Sequence, residues 1–213
     1  MKLVSVNVGL PREVAWRGEQ VRTAIFKMPV DGRTRVHRLH LEGDGQADLR
    51  VHGGPSKAVY AYPSQHYAFW AKQLPRVPLQ WGHFGENLTT EGLREDTVHI
   101  GDRFRIGSAE LVVSEPRQPC FKLGLRFGDP AMVKQFLKAG RSGFYLSVAR
   151  EGELAAGDPI ELLAEDEQRI SVADIVRLLG PDRTSADLLR RASELSALPE
   201  PLREHFRNQL AKA

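Results

Sequence analysis

A single cysteine, Cys120, stands in 213 residues. The chain therefore has no internal disulfide and cannot hold an iron–sulfur cluster on four cysteines. So little thiol fits a reducing compartment. No apolar run approaches the roughly 20 residues of a membrane-spanning helix. The opening Met1-Lys2-Leu3-Val4-Ser5-Val6-Asn7-Val8 is too short for a secretory leader, and the residues after it are too polar to extend it. The expected location is the cytoplasm, with no membrane partner. A block of basic residues is also missing: the net charge is +3 and the pI near 9.1, but lysines and arginines are scattered among acids. With no nucleic-acid-binding motif either, phosphate on a small ligand is the better match for a few of these cations. A Gly-x-Gly-x-x-Gly dinucleotide fingerprint is absent as well. There remains an ordinary globular balance, 27% charged and 41% hydrophobic, in a chain long enough for one generous domain or a domain with a small appendage.

The first half reads as short strands broken by turns. Val4, Val6 and Val8 alternate with Leu3, Ser5 and Asn7, and the runs Val21 to Met28 and Val36 to Leu41 are rich in β-formers, with Asp31-Gly32 between them as a hairpin signal. The polar, glycine-laden connection from Gly43 to Lys57 is longer than a hairpin needs, which marks it as a functional loop. Ala58 to Tyr62 is a strand, and Pro63-Ser64 opens a helix whose Tyr67, Trp70, Ala71 and Leu74 share one face and belong to the core. Further strands are predicted over Val98 to Ile100, Arg103 to Ile106, Ala109 to Val113, Gly143 to Ala149 and Pro159 to Leu163, with a helix from Asp129-Pro130 to Gly140. This pattern predicts a mainly β protein, a closed or partly closed barrel with a few helices on it, over residues 1–164. After Ala164 the composition shifts. A charged linker leads to a helical segment, 165–213, with helices Val172 to Leu179, Ala186 to Leu195 and Leu202 to Leu210, started by Ser171 and Ser185 and broken at Gly180-Pro181 and Pro199-Glu200-Pro201. Helices this short need the barrel or a partner to pack on.

The chain is organised around Glu115-Pro116-Arg117-Gln118-Pro119-Cys120-Phe121-Lys122-Leu123. Two prolines restrain the approach to the thiol, and nearby cations favour the thiolate, the form that attacks and the form that ligates metal. Three chemistries fit. Cys120 with His52 as base and Asn87 or Glu86 to orient it would be a cysteine nucleophile. Cys120 with some of His37, His40, His52, His66 and His83 would be a zinc site, although His37 and His40, three apart on a predicted strand, point to opposite faces. Cys120 on a thiophilic metal, with Arg117 and Lys122 supplying charge and His52-Gly53-Gly54 forming a backbone nest for phosphate, would hold an anionic cofactor.

Four motifs in order bear on that choice: His52-Gly53-Gly54-Pro55 with Lys57-Ala58-Val59, then Phe84-Gly85-Glu86-Asn87-Leu88, then Gly101-Asp102, then the cysteine segment. Together they resemble the MOSC domain, the family named after molybdenum cofactor sulfurase C-termini, in its stand-alone bacterial YiiM-like form with a C-terminal three-helix segment. The likeness covers about 30–163. It implies a β-barrel that binds molybdenum cofactor (molybdopterin), with Cys120 as the protein's ligand to molybdenum. By the same resemblance, Arg117 and Lys122 would meet the pterin phosphate, Glu86 and Asn87 would shape the pterin pocket, and Lys57, Gly53 and Gly54 would complete the binding set. The implied activity is reduction of N-hydroxylated compounds such as hydroxylaminopurines and amidoximes, with His52 as proton donor and electrons from a separate reductase that docks on the C-terminal helices. MOSC domains have two other proposed roles, sulfur carriage on a Cys120 persulfide and cofactor delivery. A homodimer remains open.

Overall fold

The computed structural model describes residues 1–48, 53–180 and 185–211. In chain order its strands are β1 (Lys2–Val8), β2 (Arg12–Trp16), β3 (Glu19–Thr23), β4 (Met28–Pro29) and β5 (Thr34–Val36), followed by a 3-10 turn (Pro55–Lys57), β6 (Val59–Pro63) and helix α1 (Gln65–Gln73). β7 (Leu88–Glu91), β8 (Arg103–Ile106) and β9 (Ala109–Pro116) lead into α2 (Phe121–Phe127) and α3 (Met132–Ala139). β10 (Phe144–Arg150), β11 (Gly152–Leu154) and β12 (Ile160–Ala164) precede the helices α4 (Val172–Leu179), α5 (Ala186–Glu194) and α6 (Glu200–Leu210).

Eight strands form one sheet in the order β12-β8-β9-β10-β6-β7-β1-β4, antiparallel except for the β6–β7 pair. The mainly β fold with C-terminal helices agrees with the sequence reading, but the barrel is not closed. Among the described residues its two sides meet at an isolated bridge, Lys2↔Pro159. On either side of that pair the Leu3 N–H donates to the Asp158 carbonyl and the Ile160 N–H to the Met1 carbonyl, both at 3.0 Å, so the edges touch through a single bridge and not through a continuous ladder. The Asp31-Gly32 hairpin does not form either: β4 pairs with β1, β5 pairs with β11, and Leu41 turns back onto Val36. The hairpin in this region is β2–β3, whose turn residues Arg17 (φ 52°) and Gly18 (φ 87°) are both left-handed. Such turns usually carry Asn or Asp where this chain has Arg17, which hides the signal. Val98 to Ile100 is not a strand and contributes the isolated bridge His99↔Ser171.

The main core runs from the sheet, through residues such as Leu3, Val59, Leu111 and Phe144, into Ile175, Leu189, Leu198 and Phe206 of the helical segment, so the C-terminal helices are packed on the sheet. The capping box of α4, Ser171 with Asp174, forms at the start that the sequence pattern marks. A second, aromatic cluster joins Tyr60, Tyr62, Tyr67, Trp70, Phe84 and Phe136. Trp70 stacks on Phe136 at 5.9 Å and donates its indole N–H to the Tyr62 hydroxyl at 2.8 Å, which makes α1 a core helix. This cluster floors the site. Among the described residues no helix is long and apolar enough to cross a membrane.

Candidate functional site

The Cys120 segment leaves the sheet at the end of β9. The Arg117 backbone N–H donates to the Gly143 carbonyl at 3.2 Å, which ties the segment to the turn before β10. Cys120 is then extended (φ −117°, ψ 177°) and caps α2, with its carbonyl accepting from the Leu123 N–H at 2.9 Å. Sequence patterning gives no sign of α2, because prolines before it and glycines within and after it look like breakers. Gly124 has a packing reason: a Cβ there would come within 3.1 Å of Asp129 and Pro130 backbone atoms. The helix therefore lies tight against the next loop, and Cys120 is held half-buried at its start.

The thiol faces a cleft of about 100 Å³, walled by the β3–β4 connection, the loop from Asp44 to Ala47, Lys57, Tyr60, Gly85, Asn87, Tyr145 and the Arg117–Lys122 segment. That space is smaller than the roughly 300–1,000 Å³ of ordinary ligand pockets. A larger molecule would seat its charged end and leave the rest at the mouth. Among the described residues four cations, Lys27, Lys57, Arg117 and Lys122, line it against one carboxylate, Asp44.

The cations are held differently. Lys27 forms a buried ion pair with Asp44, which also accepts the Gly9 N–H at 2.8 Å and the Asn87 amide at 2.9 Å. Burial pulls the Lys27 amine down, and Asp44 opposes that pull. Lys57 sits 3.9 Å from Glu115, whose buried carboxyl is raised by desolvation against the opposing effects of Lys57 and Ser56. Arg117 is 7% exposed, with its guanidinium 5.2 Å from the Tyr60 ring centre and 5.1 Å from that of Phe136. Its Nη1 is buried without a hydrogen-bond partner. A buried donor without an acceptor is costly. Burial also raises the Tyr60 and Tyr145 phenols, so both remain protonated donors, and Tyr145 shares a hydrogen bond with Arg117.

Of the residues expected from sequence, Cys120, Arg117, Lys122, Lys57 and Asn87 line this one cleft. Asn87 is already occupied: its carbonyl accepts the Tyr60 N–H at 3.1 Å and its amide holds Asp44. Glu86 lies behind the wall, fully buried, and does not line the cleft. It accepts from the Tyr67 hydroxyl, the Gly82 and Phe84 N–H groups at 2.8 and 3.2 Å and the Thr89 hydroxyl at 2.9 Å, so no acceptor is left for a ligand. Gly53 and Gly54 are not among the lining residues; Gly54 (φ 93°) instead begins the turn that carries Lys57. His52 lies outside the described residues. Lys27, Asp44, Tyr60 and Tyr145 escape the sequence reading, and only Asp44, inside the long Gly43–Lys57 connection, has a signal there. His37 and His40 sit on a turn with rings 5.1 Å apart, not on opposite faces of a strand. Among the described residues no three His, Cys, Asp or Glu side chains converge to hold a metal, which leaves the zinc arrangement without support.

Residues 48–161 match the MOSC domain family, and residues 170–213 match the YiiM-like 3-alpha helix domain. The uncharacterized protein YflK of Bacillus subtilis is 43% identical over 204 residues, covering 96% of this chain and 92% of YflK. A protein named simply "Reductase" from Gibberella moniliformis is 35% identical over 196 residues; the match takes in 91% of this chain but only 35% of that much longer protein. Among solved structures, YiiM from Geobacillus stearothermophilus superposes with a TM-score of 0.81 at 33% identity, with 98% of each chain covered.

Proposed function

This chain belongs to the MOSC domain family, and from that premise we propose that it is a molybdenum-cofactor-dependent reductase of N-hydroxylated compounds, with Cys120 as the ligand to molybdenum. The observation that carries this reading is the convergence of Cys120 with a buried, acceptor-seeking Arg117 in a cleft where cations outnumber acids. That donor set fits the cofactor: a thiolate suits a soft metal centre, and fixed cations suit a phosphate. Arg117, Lys122 and Lys57 would hold the phosphate end, and Cys120 the metal. When bound, the cofactor supplies the two electrons that, with two protons, convert an N-hydroxyl compound to its amine and water.

The chain's own part is to position and to move protons. Arg117 is fixed by the Tyr60 and Phe136 rings and by Gly143, so little order is lost when it meets an anion. The protonated Tyr145 phenol, at the cleft wall beside Arg117, can donate a hydrogen bond to a substrate oxygen. His52 is proposed as the proton donor on the strength of its motif. One cysteine cannot hold a four-cysteine iron–sulfur cluster, and a separate reductase is the proposed electron donor, with the C-terminal helices (165–213) as its docking face.

The test is metal and pterin analysis of protein made in a host that synthesises the cofactor, followed by turnover of a hydroxylaminopurine with a supplied electron donor. Near-stoichiometric molybdenum that disappears in Cys120→Ala supports the reductase. A Cys120 persulfide on molybdenum-free protein would replace it with a sulfur carrier, and molybdenum without turnover would replace it with a delivery module.

A further inference from the structure

Two arginines beside the cleft, Arg12 and Arg126, share one aromatic ring. The Arg12 guanidinium carbon lies 3.9 Å from the Phe26 ring centre and that of Arg126 lies 4.9 Å from it. Neither has a carboxylate partner among the described residues. Arg126 reaches only the His83 carbonyl and Nδ1, at 3.3 and 3.4 Å. A ring can favour one cation, but two cations on one ring repel each other unless an anion lies between them. That repulsion is visible in Arg126, whose cation is disfavoured by burial first and by Arg12 second. His83, pushed down to about 4 by burial and by Arg126, stays neutral at physiological pH and accepts from Arg126, leaving the arginine's remaining donors unused.

The chain ties this pair to the cleft at three points. Arg12 on β2 stands directly opposite Thr23 on β3, and Thr23 lines the cleft. Phe26 lies between Ile25 and Lys27, both lining residues. Arg126 follows Lys122 by four residues on α2, on the same helix face and about 6 Å further along the axis. The basic surface therefore continues past Lys122 to two forked donors of the kind that bind phosphate oxygens.

We infer that Arg12 and Arg126, held apart on Phe26, form a phosphate-monoester site for the substrate, so that the preferred N-hydroxylated substrates are nucleotides rather than free bases. The identity of the base rests on the reductase reading; the phosphate site does not. Arg117, Lys57 and Lys122 are the cations assigned to the cofactor, which leaves the separate pair, with Arg126 one helical turn further along α2, for the substrate.

The experiment is calorimetric titration of the full-length protein with AMP and with adenosine at low salt, which needs neither molybdenum nor turnover. AMP is expected to bind at least about tenfold more tightly than adenosine, and Arg12→Gln and Arg126→Gln are each expected to weaken AMP by about fivefold or more while leaving adenosine unchanged. Pterin content, read by fluorescence after oxidative release, is expected to be unchanged in both variants. Arg12 is exposed, so Arg12→Gln keeps the test open even if loss of the Arg126–His83 contact unfolds the other variant. Equal binding of AMP and adenosine overturns the inference, as does AMP binding that ignores both substitutions. Pterin lost in Arg12→Gln overturns it too, by assigning the pair to the cofactor. A protein that binds AMP through this pair but never carries molybdenum would sink the reductase reading and leave the phosphate site standing.

Discussion

The Gly85-Glu86-Asn87 segment and the Arg117–Lys122 segment are both polar and both reach the same cleft, yet they turn their hydrogen-bonding groups in opposite directions. Glu86 is met by two backbone N–H groups and two hydroxyls, and Thr89, one of those hydroxyl donors, is itself bonded by Asn7. Asn87 is bonded on both ends of its amide. Across the cleft, Arg117 keeps a buried nitrogen without an acceptor, and Lys122 lines the same space. A polar group whose partners are all internal is architecture, since removing it breaks the fold. A donor that the fold pays to bury and then leaves without a protein partner is a request for a ligand. The two segments look equally functional as strings of letters, and the direction of their bonds separates them.

The largest effect that would break this comparison is on metal content. Cys120→Ala is expected to lower bound molybdenum at least about tenfold, while the thermal midpoint moves by no more than about 2 °C, because Cys120 is half-buried and outside both core clusters. Metal analysis beside a thermal melt checks both halves. Unchanged metal content would remove the cysteine from the centre of the site.

The mirror image is Glu86→Gln. It keeps the shape of the side chain but turns an amide donor toward groups that already donate, so at least one buried donor loses its acceptor. Denaturant unfolding is expected to show a loss of about 2–4 kcal/mol, with molybdenum per folded molecule unchanged. A stable Glu86→Gln protein that had lost its metal would show that Glu86 does reach the cofactor. Lys122→Gln is the milder probe of the outward set. Cofactor retention is expected to fall by about threefold to tenfold and to become less sensitive to salt, with no measurable change in the melt, since Lys122 is only partly buried and makes no ion pair among the described residues.

How far these roles are legible in the sequence depends on how local their causes are. Arg117, Cys120 and Lys122 lie within six residues, so composition and spacing alone mark them. The Lys27–Asp44 pair, by contrast, depends on how two loops meet, and Lys27 carries no local signature. Glu86 reads as a pocket residue because Gly-Glu-Asn between aromatics is written the same way whether its carboxylate faces a ligand or the Gly82 and Phe84 amides. Many short strands with a C-terminal helical segment are visible from turn spacing. Closure is not, because it rests on edge contacts between segments far apart in the chain: the bridge Lys2↔Pro159 with the backbone bonds from Leu3 to Asp158 and from Ile160 to Met1.

The smallest expected effect lies at the seam between the two regions. His83 is tied to the inward network through its backbone N–H, which donates to the Tyr67 hydroxyl at 3.1 Å, and to the outward arginines through its ring, which accepts from Arg126. Burial, and then Arg126, hold its pKa down to about 4 against an ordinary value of 6.5. The folded state thus stays neutral at His83 over an interval in which the unfolded chain takes up a proton, so this histidine's contribution is intact above about pH 6.5 and is lost as pH falls toward 4. One proton limits the slope to about 1.4 kcal/mol per pH unit. Chemical unfolding between pH 4 and 7 is expected to show a steeper loss toward acid in the parent than in His83→Gln, which has no such proton to take up. If an anion held by Arg12 and Arg126 relieves the repulsion on His83, saturating AMP is expected to raise the ring's pKa and flatten the parent's slope toward that of the variant. A slope indifferent to AMP would mean that the seam does not transmit, and that the inward network and the outward cations are independent despite sharing this residue.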